Sequence, residues 1–498
     1  MFQRNQTPIT PPEGTQPIRG RWKTFIRNWL AGRPTLWEGI GTSLFLHLAL
    51  LIVLATIVVQ HRSSTAPLEI ITIVRDTKPD FVVETPQIPP LLAPGETTAR
   101  ESPLLVRTEA LQTGPVEFPH IGIELPPSDR LPVDLGTPSF AANLDGRSTA
   151  NRQALLAAFG GTAQSEAAVA LGLQWLVKHQ QSDGSWSFNH IHGKECERDC
   201  TEPGSLGRQR MGATGMALLC FLGAGQTHRE GVYANNIDRG FRYLLDHAVI
   251  EGTSADMRDV NPGNSGMYSH GLCTIALCEA TAMTRDPEFR RAAQFAVNFV
   301  VKAQHPEDGG WRYQVPDRGD TSVVGWQVMA LSSARMAKLS VPRTTFTKVR
   351  QFLNRVAIGG RDGAYYGYTR PSRKPSTTAV GLLSRIYLGW ERTHPGLDDG
   401  TEFLANLGPQ IDDMYFNYYA TQVLHHWGGP RWNEWNTRMR DMLIQLQSRQ
   451  GHATGSWAPR DPHASSGGRL YMTCLAVMTL EVYYRHLPLY RPVMDEGG

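Results

Sequence analysis

Apolar positions along this chain of 498 residues fall into three successive patterns. The first is an unbroken run from Ile40 to Val59, IGTSLFLHLALLIVLATIVV, with no Asp, Glu, Lys or Arg and with His47 as its one ionisable member. At about 1.5 Å per residue a helix of that length covers roughly 30 Å, the thickness of a bilayer core. The run predicts a single transmembrane helix within residues 36–60. It is too long, and begins too far from Met1, for an ordinary signal peptide. Arg4, Arg19, Arg21, Lys23, Arg27 and Arg33 precede it, whereas Arg62, Arg75 and Lys78 beyond it are mixed with Glu69, Asp76 and Asp80. The positive-inside rule therefore puts residues 1–35 in the cytoplasm as a basic tail. Trp22, Phe25, Ile26, Trp29 and Leu30 share one helical face there, which predicts a short interfacial helix.

The second pattern is the lack of one. Residues 61–154 are rich in Pro, Thr and Glu, as in KPDFVVETPQIPPLLAPGE. Repeated prolines exclude helix interiors and central strands, so an extended linker is expected.

The third pattern begins near Gly161, where two kinds of helix alternate. One kind ends in a glycine-aromatic turn, as in ALGLQWLVKHQQSDGSW, FAVNFVVKAQHPEDGGW and MRDMLIQLQSRQGHATGSW. The other follows the turn and is rich in small and apolar residues, as in GATGMALLCFLGAG, DTSVVGWQVMALSSARMA and LYMTCLAVMTLEVYY. Six such pairs over about 330 residues give roughly 55 residues per repeat, the mark of a stacked helical array. Six hairpins can close on themselves. The expected fold is therefore all-α, an α6/α6 toroid over residues 155–490 with a short tail at 491–498. The apolar helices line its inside and the charged ones form its outer ring.

Charge and composition narrow the partners. A net charge of +3 carries no nucleic-acid footprint. Six cysteines are too few for a disulfide scaffold. The expected partners are a membrane, crossed once, and an isoprenoid, lipid, glycan or envelope-protein ligand. The topology implies a bacterial-type inner membrane with the toroid on its outer, periplasmic side.

The turns Gln181–Trp186, Gln304–Trp311 and Gln450–Trp457 resemble the QW motifs of squalene–hopene and related triterpene cyclases, a superfamily shared with the β subunits of protein prenyltransferases. The resemblance spans roughly residues 165–490 and implies an α/α toroid in which these Gln and Trp residues are structural. Class II cyclases protonate an alkene with the middle Asp of an Asp-x-Asp-Asp motif. The similar stretch here is Asp317-Arg-Gly-Asp320-Thr321, with Gly319 at the acid position. Asp317 and Asp320 are the candidate catalytic residues. Asp320, directly before a helix, is expected to cap it, which should stabilise its ionised form and leave it a poor proton donor. The prenyltransferase pattern Leu-Tyr-His-Thr-Cys is matched by Leu470-Tyr471-Met472-Thr473-Cys474, where Met472 replaces the zinc-binding His. The resemblance thus implies the fold but not the standard chemistry, and no cofactor and no metal site are expected.

Further candidates follow from position. The starts of the inner helices should share one end of the ring, where His270, Trp326, Arg373, Tyr415, Tyr418 and Tyr471 are expected to line a cavity. Cys196 and Cys200, five residues apart counted inclusively, are expected to form a disulfide in an oxidising compartment. Zinc held by this pair with His190 and His192 is the alternative. The carboxylate pairs Asp398-Asp399 and Asp412-Asp413 fit helix N-termini. The leading functional expectation is a membrane-anchored binding or scaffold toroid without class II cyclase activity. An isoprenoid enzyme with a relocated acid and a glycan-active α6/α6 enzyme are the alternatives.

Overall fold

The computed structural model describes His47 and residues 146–490, except 197–199, 262 and 462–463. The expected membrane span, cytoplasmic tail, C-terminal tail and most of the linker lie outside the described residues. Among the described residues no helix is long and apolar enough to cross a membrane.

The chain enters through α1 (Thr149–Phe159) and then builds six helical hairpins. The first members are α2 (Ala163–Lys178), α4 (Ala234–Asp246), α6 (Pro287–Ala303), α8 (Arg343–Val356), α10 (Pro395–Leu407) and α12 (Gly429–Leu446). The second members are α3 (Arg210–Gly223), α5 (Gly266–Thr284), α7 (Thr321–Met336), α9 (Pro375–Tyr387), α11 (Met414–Trp427) and α13 (Ala464–Leu480). Each second helix packs on the next, from α3 round to α13, and α13 packs back on α3. The inner ring is closed, and α12 meets α2 at the same seam.

Composition explains which helices go inside. In α3 every residue from Met211 to Gly223 is buried, because the helix has neighbours on both flanks, an outer helix behind it and the ring centre in front. Small residues set the spacing. A Cβ on Gly215 would stand 2.9 Å from the Cys273 amide nitrogen of α5. The outer helices bury one stripe only, as Val349, Phe352, Leu353 and Val356 do in α8. Two short antiparallel pairs, Val249–Glu251 with Ser254–Asp256 and Ala357–Ile358 with Tyr365–Tyr366, stiffen connecting loops.

The linker expected to reach residue 154 ends earlier. TANRQALLAAF is a sequence of good helix formers and folds as α1, which stops at Gly160 in the left-handed conformation (φ 83°). Helix α1 packs on α14 (Val482–Arg485), and both chain ends of the toroid turn toward one end of the ring. There Arg485 holds Glu279 of α5 in a two-oxygen contact at 3.1 and 3.2 Å. Arg147 reaches the same carboxylate at 2.8 Å, and Arg485 also donates to Glu481 at 3.1 Å. All four side chains are essentially without solvent contact. They form a charged plug at the C-terminal ends of the inner helices. Above it Trp326 stacks on Tyr418 (5.7 Å) and meets Tyr419 edge-on (5.7 Å), which fills the ring centre.

Candidate functional site

The hairpin turns place everything else. In three of them a glutamine at the end of the outer helix donates to two carbonyls: that of a turn glycine with positive φ, and one on a neighbouring outer helix. Gln180 bonds Gly184 O and Asn236 O of α4, both at 2.8 Å. Gln304 bonds Gly309 O (2.8 Å) and Thr345 O of α8 (3.1 Å). Gln447 bonds Gly455 O (2.9 Å) and Ala168 O of α2 (2.8 Å), across the seam. Trp186, Trp311 and Trp457 each donate their indole N–H to a carbonyl of the preceding outer helix, at 2.7 to 2.8 Å. The tying glutamines are therefore Gln180 and Gln447, not Gln181 and Gln450. Gln181 sits one residue on, out of phase with the neighbouring helix, and accepts from Arg210 instead. Gln450 lies beyond the residue that pairs with Trp457, since it is Gln447 that bridges to it.

These turns deliver an acid–tyrosine cluster to the mouth formed by the inner-helix starts. Asp320 is fully buried and caps α7, its Oδ1 accepting from the Val323 amide at 2.9 Å. Its Oδ2 has no hydrogen-bond partner among the described residues, with Arg312 Nε at 3.7 Å. Burial pushes this carboxyl up to about 6, against the opposing pull of the cap, Tyr368 and Arg312. The expectation that capping would hold it ionised fails because desolvation outweighs the cap and lets the carboxyl keep its proton to higher pH. Around it stand Tyr268, Tyr313, Tyr368 and Tyr415. The Tyr313 and Tyr368 hydroxyls bond each other, and Tyr415 donates to Ser322 O at 3.3 Å. Tyr268, Tyr313 and Tyr368 were not among the sequence candidates. Tyr313 and Tyr368 each lie two residues after a turn aromatic, Trp311 and Tyr366, and an extended chain points such residues to one side.

The other predicted residues divide. Trp326 and Tyr418 fill the ring centre, and Tyr415 and Tyr471 are half-buried. Asp317 is exposed on its turn and takes no part in the cluster. His270 is committed to the backbone: its Nδ1 accepts from Met257 N and its Nε2 donates to Ala296 O, both at 3.1 Å. Arg373 lies outside the mouth, its guanidinium over the rings of Tyr365 (4.4 Å) and Phe403 (4.5 Å). Asp413 caps α11 through the Phe416 amide, and Asp398 pairs with Arg431, which accounts for one member of each acidic pair.

A second cluster stands at the seam. Cys196 and Cys200 are buried and both are free, so the expected disulfide is not formed. Their sulfurs face His179, at the end of α2, and His452, in the turn before α13. The ligand atoms of all four residues lie within 4.8 Å of one another. His179 Nε2 is 3.2 Å from Cys200 Sγ, and His452 Nδ1 is 3.3 Å from the same sulfur. Burial holds His179 low, at about 3, and raises the Cys200 thiol to about 11, with Cys196 adding to the rise. His190 touches the group edge-on, 5.4 Å from the His179 ring, and His192 is exposed. Sequence proximity pointed to those two. The partners come instead from a helix end and from a turn 252 residues beyond Cys200.

No family model matches the chain, and no curated protein matches it. Among solved structures it is similar to an α-1,6-mannanase of Salegentibacter sp. (12% identity, 64% of this chain and 99% of that one, TM-score 0.44). It is also similar to the type II terpene cyclase of Scytonema in complex with its geranylgeranyl dihydroxybenzoate substrate (11%, 65% and 98%, TM-score 0.44). A third is an α-amylase from Clostridium perfringens (12%, 64% and 97%, TM-score 0.42).

Proposed function

We propose that this chain is a membrane-tethered toroid that binds or scaffolds a ligand on the outer side of the membrane and does not cyclise polyprenes. One observation carries this: the ring interior is occupied by its own side chains. The space among Ile275, Glu279, Met329, Ser332, Tyr387 and His486 amounts to about 20 Å³, room for one water. A polyprene requires a pocket of roughly 300–1,000 Å³. The tryptophan–tyrosine stack and the charged plug take up that volume. Gly319, at the position of the cyclase acid, carries no carboxyl, and a Cβ there would stand 2.6 Å from Gly310 Cα. The tyrosine-lined mouth is the face that supports binding of an isoprenoid, lipid, glycan or envelope-protein group. The membrane tether and outer location rest on the apolar run and the basic tail.

Asp320 favours a second reading, an isoprenoid enzyme with a relocated acid. A buried carboxyl held toward neutrality among tyrosines, with Arg312 3.7 Å from its second oxygen, is the kind of group that can deliver a proton. It ranks second because the stretch that resembles the cyclase motif brings only this carboxyl to the mouth: Asp317 is exposed on its turn and Gly319 stands at the acid position. The test is product analysis after incubating the purified full-length chain with squalene and with shorter polyprenes. The expected outcome is no cyclised product. Cyclised product from the wild type that disappears in Asp320→Asn would overturn the binding assignment and make Asp320 the acid.

A further inference from the structure

Two cysteines and two histidines from three separate segments converge where the ring closes. We propose that His179, Cys196, Cys200 and His452 hold a zinc ion that fastens the first hairpin to the last. Two sulfurs and two imidazole nitrogens are the donor set that selects a tetrahedral Zn²⁺. With Zn–S near 2.3 Å and Zn–N near 2.0–2.1 Å, tetrahedral donors stand roughly 3.3–3.8 Å apart. The nitrogen–sulfur separations of 3.2 and 3.3 Å would widen slightly, and the most distant ligand atoms, up to 4.8 Å apart, would close by about 1 Å, to admit the ion.

The surroundings are arranged for a ligand set rather than for a chance meeting. His179 donates its Nδ1–H to the Trp175 carbonyl at 2.6 Å, one turn back on α2. That bond fixes the tautomer and leaves the Nε2 lone pair facing Cys200. The same ring stacks on Trp175 at 3.9 Å, so its plane is held as well. Charge balances too. Binding releases the two thiol protons to solvent, and two thiolates with two neutral imidazoles cancel the charge of Zn²⁺. A neutral complex is what a buried site tolerates. No oxidation or reduction is involved. Four protein ligands leave no open coordination position, so the role is structural.

Position gives the ion its purpose. His179 ends α2, the cysteines lie in the loop to α3, and His452 sits in the turn between α12 and α13. Gln447 already crosses this seam to Ala168. A ring of six hairpins has one junction that chain connectivity does not hold, and the four ligands straddle it.

The test uses the full-length chain, purified in detergent without chelator. Metal per chain is measured by inductively coupled plasma mass spectrometry, beside the intact mass. The expected result is one zinc per chain, falling to near zero in Cys200→Ser and in His452→Ala but retained in His190→Ala. Because a cysteine variant can fail to fold, His452→Ala, in a half-exposed turn, serves as the second variant. Cobalt exchanged into the wild type should give intense tetrahedral d–d bands and a thiolate charge-transfer band. Chelator should lower the melting temperature of the wild type by several degrees and leave that of His452→Ala unchanged. A metal-free wild type whose mass shows a Cys196–Cys200 disulfide would overturn the proposal. So would free thiols that take up no added zinc.

Discussion

Asp320 caps α7 with one oxygen and leaves the other unbonded among the described residues, and the balance shows in how stability follows pH. Its folded pKa is about 6 against an ordinary 3.8. The folded state therefore binds the proton more tightly than the unfolded chain. That contribution is complete below about pH 3.8 and is lost as pH rises through about 6. Asn also caps but cannot titrate. The stability of Asp320→Asn relative to wild type should thus improve as pH rises through this window and stay constant above it, read from urea midpoints at several pH values. A pH-independent difference would contradict the assigned environment. The cap was legible in the sequence, because Asp directly before a helix-forming run has that role by default. The burial was not, because Tyr268, Tyr313, Tyr368 and Tyr415 arrive from different hairpins. His270 shows the converse error: a histidine at an inner-helix start suggests the mouth, yet the backbone of Met257 and Ala296 takes both its nitrogens.

At the scale of the element, the glycine-aromatic turn is a joint with fixed parts. A left-handed glycine lets the chain reverse, the tryptophan ties the turn to its own outer helix, and the glutamine ties it to a neighbouring one. Gly184, Gly309 and Gly455 have φ of 91°, 77° and 92°, values that only glycine adopts freely. The tryptophans and glycines could be read directly from the repeat. Gln304, the single glutamine of its turn, could be read too; Gln180 and Gln447 could not, because their turns offer more than one and the choice depends on the helical phase at which α2 or α12 ends, a boundary that sequence leaves loose by a residue or more. Gln180→Ala should strip a donor from the Gly184 and Asn236 carbonyls and cost about 1–3 kcal/mol. Gln181→Ala, whose partner is the half-exposed Arg210, should stay within about 0.5 kcal/mol. Equal effects in chemical denaturation would mean that the neighbour-bridging bonds carry no weight.

Over the whole molecule, the count of six hairpins was legible because each repeat announces itself twice, by an apolar helix and by its turn. The plug was not, because its members are scattered along the chain, some within the repeat helices and some beyond them. Arg147 precedes α1, Glu481 and Arg485 follow α13, and Glu279 sits in an otherwise apolar helix. Burial alone would raise the Glu279 carboxyl, but Arg147 and Arg485 outweigh it and hold it below its ordinary value. Glu481 has Arg485 as its one direct partner among the described residues, and burial prevails, pushing it up to about 8. Two measurements separate these roles. Arg485→Ala leaves Glu279 to Arg147 alone and strands Glu481, and removing one member of a buried network should cost about 3–5 kcal/mol. Glu481→Gln keeps the shape and removes the titration. A raised folded pKa means that the Glu481 proton contributes stability below about pH 4.5, its ordinary value, which is lost as pH rises through about 8. The buried histidines, whose pKa values are lowered, act in the opposite sense as pH falls, so the wild-type profile alone mixes the two. The difference between Glu481→Gln and wild type isolates the plug. The advantage of wild type over the variant should shrink steadily across that window, in denaturation midpoints taken at matched ionic strength. A constant difference would show that Glu481 is ionised throughout and that the plug is a fully charged two-by-two network.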